Sequence, residues 1–70
     1  MTVSIADTLT IREVEIVKLI CDGLTDKDVA LKLCLSTSTV RTHRKSILKK
    51  LNITKTVLLV RFAIEQGLIQ

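Results

Sequence analysis

A chain of 70 residues is one domain at most, and a core of that size outweighs the entropy of the chain by only about a few kcal/mol. Apolar residues make up 47% of it, Trp, Tyr and Pro are absent and Phe62 is the only aromatic, which argues for compact helices of Leu, Ile and Val and against disorder or a large ligand cavity. The net charge of +4 is segregated: Met1 to Asp28 holds six acids and three bases, Val29 to Ile64 eight bases and no acid, a field suited to nucleic acid, an anionic membrane or an acidic protein without choosing among them.

Four segments carry helix signals, and each is introduced by a hydroxyl residue able to cap orphan amides. After a short arm, Met1 to Thr8, the stretch TIRE sets Thr10 as N-cap and Glu13 three residues on, a capping box preceded by Leu9. The first helix then runs to about Asp22, and Gly23 is its left-handed terminator. Thr25 and Asp28 repeat the cap pattern for a short second helix ending near Leu33, followed by a tight apolar turn at Cys34 and Leu35. Ser36 caps a third helix that continues through Leu51 and stops at Asn52, a residue tolerant of left-handed backbone. Thr54 opens the fourth, which ends at Gly67; VLLVRF within it has β-propensity, but its length and flanking caps favour helix. The expected fold is all-α, a four-helix domain over residues 9–70.

On a helical wheel of the third segment, Val40, Ile47 and Leu51 fall within an arc of roughly 40°, widened by Leu48, which is the core side. Ser38, Arg41, Thr42, Lys45 and Lys49 gather on the opposite side, with Thr39 and Lys50 on one flank. A basic outward face is often merely solvated. Here no Glu or Asp stands four residues from any of these cations, so they are expected to repel one another in the free protein. An eight-residue helix, a tight turn and a longer cationic helix is also the order of a helix-turn-helix reader, whose second helix enters the major groove. A helix about 10–12 Å wide fits a groove about 12 Å across, and Arg41 and Lys45, four residues apart, would point at neighbouring bases. Single strands are poorer partners, because their binding surfaces use aromatic platforms that this chain lacks.

Other chemistries are weaker. His43, the only histidine, and the two cysteines are spaced too irregularly for a zinc motif, so no metal is expected. His43 has no carboxylate near it on its own helix for acid–base work, Ser36 and Ser38 read as capping residues rather than nucleophiles, and no Gly-rich loop precedes a helix to cradle a cofactor; an enzyme is not expected. Cys21 and Cys34 read as buried thiols rather than a disulfide. No apolar run approaches the roughly 18 residues of a membrane span, the longest, VLLVRFAI, being broken by Arg61, which makes a soluble cytoplasmic protein the expectation.

Three stretches, LTIREVEIVKLICDGLTDKDVALKL, LSTSTVRTHRKSILKKLNI and VRFAIEQGLI, resemble the LuxR/GerE-type helix-turn-helix, the DNA-binding output domain of NarL/FixJ-like response regulators and related bacterial regulators, from Leu9 to Ile69. The resemblance implies a third helix that reads the major groove of double-stranded DNA, with base-edge contacts from Arg41, Thr42 and Lys45. It implies phosphate contacts from Thr25, Lys27, Ser36, Ser38, Thr39, His43, Lys49 and Lys50. It implies a homodimer on DNA through the fourth helix, where Val57, Leu58 and Ile64 lie away from the side of Leu59 and Ala63, with Arg61 beside them; a monomer in solution is compatible with so small a patch. A regulatory domain in cis is a further implied partner.

Asn52 departs from the Gly usual in that family, Leu58 from an acid or polar residue, and Ile11 and Val14, three apart near Lys18 and Cys21, from polar residues; the last two form a second candidate contact patch. The rival to DNA binding is a protein-interaction module whose basic face docks an acidic partner or regulatory domain.

Overall fold

A computed structural model describes residues 8–68. Among these residues it contains four helices and no strand: α1 Ile11–Cys21, α2 Asp26–Leu33, α3 Thr37–Lys50 and α4 Thr56–Glu65. The expected arm falls outside the described residues except for Thr8, as does Ile69 at the end of the closing motif.

Local chemistry sets three of the four helix starts. Thr10 and Glu13 make the capping box of α1, the Thr10 hydroxyl accepting from the Glu13 amide at 3.1 Å and the Glu13 carboxylate accepting from the Thr10 amide at 2.9 Å. Thr25 and Asp28 do the same for α2 at 3.2 and 3.3 Å. Ser36 Oγ accepts from the Thr39 amide at 3.1 Å at the head of α3. The fourth expectation needs correction: α4 begins one residue later than a Thr54 cap would have it, with Lys55 at the N-cap and no side-chain cap bond. A tertiary contact, the Thr56 hydroxyl accepting from Arg44 Nη1 of α3 at 3.4 Å, holds that end instead.

One device ends all four helices: a left-handed residue followed by an apolar one whose amide reaches back to the last turn. The pairs are Gly23 and Leu24, Cys34 and Leu35, Asn52 and Ile53, Gly67 and Leu68, with closing bonds of 2.8–3.2 Å to Leu19, Ala30, Leu48 and Ala63. At Cys34 the left-handed conformation (φ 58°, ψ 41°) carries a Cβ and costs roughly 1–2 kcal/mol relative to right-handed backbone.

The core lies where α1 crosses α3 and α4 and where α2 packs on α3. Ile16, Val17, Val29, Val40, Ile47 and Leu59 are fully buried, and burying an aliphatic side chain of this kind stabilises by about 1.5–3 kcal/mol. Val40 and Ile47 hold α3 down as the wheel requires, and Leu51 and Leu48 pack partly buried beside them. The two thiols are free and neither is fully buried: Cys21 is half-buried and Cys34 exposed, because the left-handed turn at Cys34 swings its side chain away from the core. Burial, and then the charge of Asp22, pushes the Cys21 thiol above its ordinary value near 9.0, which favours its protonated form.

Candidate nucleic-acid interface

The segregation of charge along the chain is partly undone in three dimensions, since two acids of the first half serve as counterions for cations of the second. Asp26, the first residue of α2, accepts two hydrogen bonds from Arg44 on α3, Nε to Oδ1 at 3.1 Å and Nη2 to Oδ2 at 3.0 Å. Arg41 Nε stands 3.9 Å from the same Oδ2. On the other flank of α3, Lys50 Nζ donates to Glu13 Oε1 at 2.7 Å and Ser46 Oγ lies 3.5 Å from Glu13 Oε2.

Glu13 is only 3% exposed. Its burial alone would raise the carboxyl's pKa, but the hydrogen bonds from Lys50 and from the Thr10 amide, with the Lys50 charge, together outweigh that and hold it below its ordinary value near 4.5. The capping carboxylate of α1 is therefore also the anchor for the end of α3. Among the described residues no buried side-chain polar atom lacks a partner.

These ties bear on two expectations. The cations of α3 do not simply repel one another, because Arg44 and Lys50 are paired and Arg41 has an acid within 4 Å. Lys50, expected at a phosphate, has a structural role as well, since its ammonium pairs with a buried carboxylate that would otherwise be left uncompensated.

With one side of α3 in the core and both flanks tied, the remaining side is exposed: Ser38, Arg41, Thr42, Lys45 and Lys49. The Thr42 hydroxyl donates to the Ser38 carbonyl at 3.0 Å, which restrains its rotamer while the oxygen keeps its capacity to accept. At the head of the helix Ser36, Ser38 and Thr39 form a hydroxyl cluster, with Ser36 Oγ 2.7 Å from Thr39 Oγ1 and 3.2 Å from Ser38 Oγ. Thr25 and Lys27 are exposed at the start of α2, and His43 is half-buried.

The expected dimer residues sit on α4. Val57, Leu58 and Ile64 are exposed while Leu59 and Ala63 are buried, and Arg61 pairs with Glu65 at 3.3 Å. Ile11 is 83% exposed and, with Leu9, Val14, Glu15 and Lys18, lines a shallow groove on α1. Among the described residues no cluster of His, Cys, Asp and Glu is arranged to hold a metal, and no helix is long and apolar enough to cross a membrane.

Sequence reasoning missed Asp26 and Arg44 as a pair, and Leu31, which is 72% exposed on α2. Arg44 carried a signal: on the wheel it lies about 40° from Val40, at the border of the core arc, where a cation needs a partner. Nothing local pointed to which acid that partner is.

Comparison with known proteins converges on one group. The model for bacterial regulatory proteins of the luxR family matches residues 7–63. The transcriptional regulatory protein MctR of Rhizobium johnstonii is 42% identical over 64 residues, which cover 91% of this chain and 30% of that protein. The uncharacterized response regulatory protein YgeK of Escherichia coli is 48% identical over 59 residues, 84% of this chain and 40% of that protein. The oxygen regulatory protein NreC of Staphylococcus epidermidis is 40% identical over 62 residues, 89% of this chain and 28% of that protein. The chain thus spans well under half the length of these relatives.

Proposed function

The chain belongs to the luxR family of bacterial regulatory proteins, a family of DNA-binding regulators rather than enzymes, and from that premise we propose that it is the sequence-specific duplex-DNA-binding domain of a transcription regulator of the response-regulator type. The observation that carries this reading is the sorting of charge on α3. Arg44 and Lys50 are paired with acids in holding the helix, whereas Arg41, Lys45 and Lys49 share the exposed side with Ser38 and Thr42, where among the described residues only Asp26, at the edge beside Arg41, brings an acid within 4 Å.

In the major groove that side presents Arg41, Thr42 and Lys45 to base edges, Arg41 through a two-donor contact to guanine O6 and N7. Thr25, Lys27, Ser36, Ser38, Thr39, His43 and Lys49 surround it as phosphate contacts, which set register and orientation without reading sequence. Two copies pair on DNA through Val57, Leu58, Arg61 and Ile64 of α4, placing two copies of α3 in half-sites about one helical turn apart. The greater length of its relatives fits a regulatory domain in the same polypeptide as a further partner.

A competition gel shift tests both levels. A selected duplex should outcompete random duplex, and Leu58→Glu should keep binding to a single half-site while losing cooperativity on paired ones. Equal competition by random duplex would sink sequence-specific reading; unchanged cooperativity would remove α4 from the pairing.

A further inference from the structure

We infer that Asp26 is the positioning residue for the base-reading guanidinium of Arg41, and so sets how strongly a guanine is preferred at the base pair that Arg41 reads. The inference rests on α3 being the reading helix and adds a residue from α2 that itself touches no base.

Geometry carries it. The Asp26 carboxylate is fixed by two hydrogen bonds from Arg44, and Arg44 is fixed in turn by its contact with the Thr56 hydroxyl on α4, so three helices hold the plane of this carboxylate. Arg44 bonds one edge of it and leaves a second lone pair on each oxygen. Arg41, three residues before Arg44 on the same helix, approaches Oδ2 with its Nε and makes no other polar side-chain contact among the described residues.

A guanidinium is a rigid fork with distinct edges: when its Nε edge faces a carboxylate, the outer edge formed by Nη1 and Nη2 is turned away from it, and that edge offers the parallel N–H pair that matches guanine O6 and N7. At 3.9 Å the Nε contact is an ion pair too long to be a hydrogen bond, and between a half-exposed arginine and Asp26 it adds little to stability. Its effect is on orientation. It restricts a flexible side chain to the rotamers that aim the Nη pair outward, which reduces the entropy lost when a base is bound and favours a two-acceptor edge over a single phosphate oxygen. The same negative charge, set at the head of α2, also disfavours binding that rests on phosphates alone.

The test compares duplexes with guanine and with adenine at the base pair where Arg41→Ala relaxes preference. Asp26→Asn keeps the shape and an oxygen acceptor for Arg44 but removes the charge. It should lower the guanine-to-adenine affinity ratio by roughly five-fold or more, while affinity for random duplex holds or rises. In an Arg41→Lys background, which has no Nε fork, the same substitution should change the ratio by less than about two-fold. An unchanged ratio in Asp26→Asn, or an equal fall in the Arg41→Lys background, overturns the inference.

Should Asp26→Asn fail to fold, the Arg41 Nε–Hε resonance of the wild-type protein supplies the reading. Its exchange with water should slow on adding the guanine duplex and not the adenine one, and equal behaviour with both overturns the inference. A wild-type protein with no preference over random duplex would instead overturn the reading of α3 itself, and this inference with it.

Discussion

Four of the five cations of α3 fall into two groups that composition cannot tell apart. Arg44 and Lys50 lie on the flanks of the buried face, reach acids 18 and 37 residues away in the chain, and act as struts. Lys45 and Lys49 lie opposite the core and, among the described residues, pair with no acid, while Arg41 stands between the groups, exposed yet 3.9 Å from Asp26. The difference teaches that net charge overstates a binding surface. A cation at the border of a core is claimed by the fold, and only those a further quarter-turn round the helix remain for a partner.

Removing a strut should have the largest effect. In Glu13→Gln the ammonium of Lys50 loses its counterion and the Thr10 amide its charged acceptor, so stability to urea should fall by about 2–3 kcal/mol, at or just below the low end of the range for a broken buried pair because Lys50 is partly exposed. The pH dependence gives a second check. Folding holds the Glu13 carboxyl below its ordinary value near 4.5, so the unfolded chain takes up its proton first as pH falls. The stabilisation is complete above that value and is lost as pH drops through the lower folded value. Glu13→Gln should flatten this acid limb; a wild-type-like limb in the variant would mean that other carboxylates cause it.

The contrast also marks what was legible in sequence. Contacts made within one turn could be read directly: the two capping boxes, the Ser36 cap, the left-handed Asn52, and the outward side of α4 at Val57, Leu58 and Ile64. Each follows from periodicity or from a side chain bonding its own backbone. The second use of Glu13 could not be read, because the box and the strut employ the same carboxylate and only the crossing of α1 over α3 brings Lys50 to it. The start of α4 at Lys55 likewise depends on where Arg44 meets Thr56, against a local preference for Thr54. The exposed Cys34 depends on a left-handed turn that a small apolar residue does not advertise.

Arg41 sharpens the comparison from the middle. Arg41→Ala gives up one weak, exposed ion pair, so the melting temperature should hardly move, yet affinity for the preferred duplex should fall by roughly 1–3 kcal/mol with little change on random duplex. Gel shifts with both duplexes measure the two terms together. Equal losses on the two would place Arg41 with the phosphate contacts and leave base reading to Thr42 and Lys45.

Lys49 gives the smallest and purest case, a cation with no counterion among the described residues and, in the proposed arrangement, no base to read. Lys49→Ala should leave stability within about 0.5 kcal/mol, as expected for an exposed position with no partner. Affinity should weaken alike for every duplex sequence, because a phosphate contact carries no sequence information. If a dimer neutralises about eight phosphates, log affinity against log salt has a slope near −7, and losing one phosphate contact per subunit should make that slope shallower by about 2. The slope is the decisive measurement. A strut acts on affinity through the fold and leaves the number of released counterions unchanged, so a Lys49→Ala variant with weaker binding and an unaltered slope would move Lys49 into the company of Arg44 and Lys50.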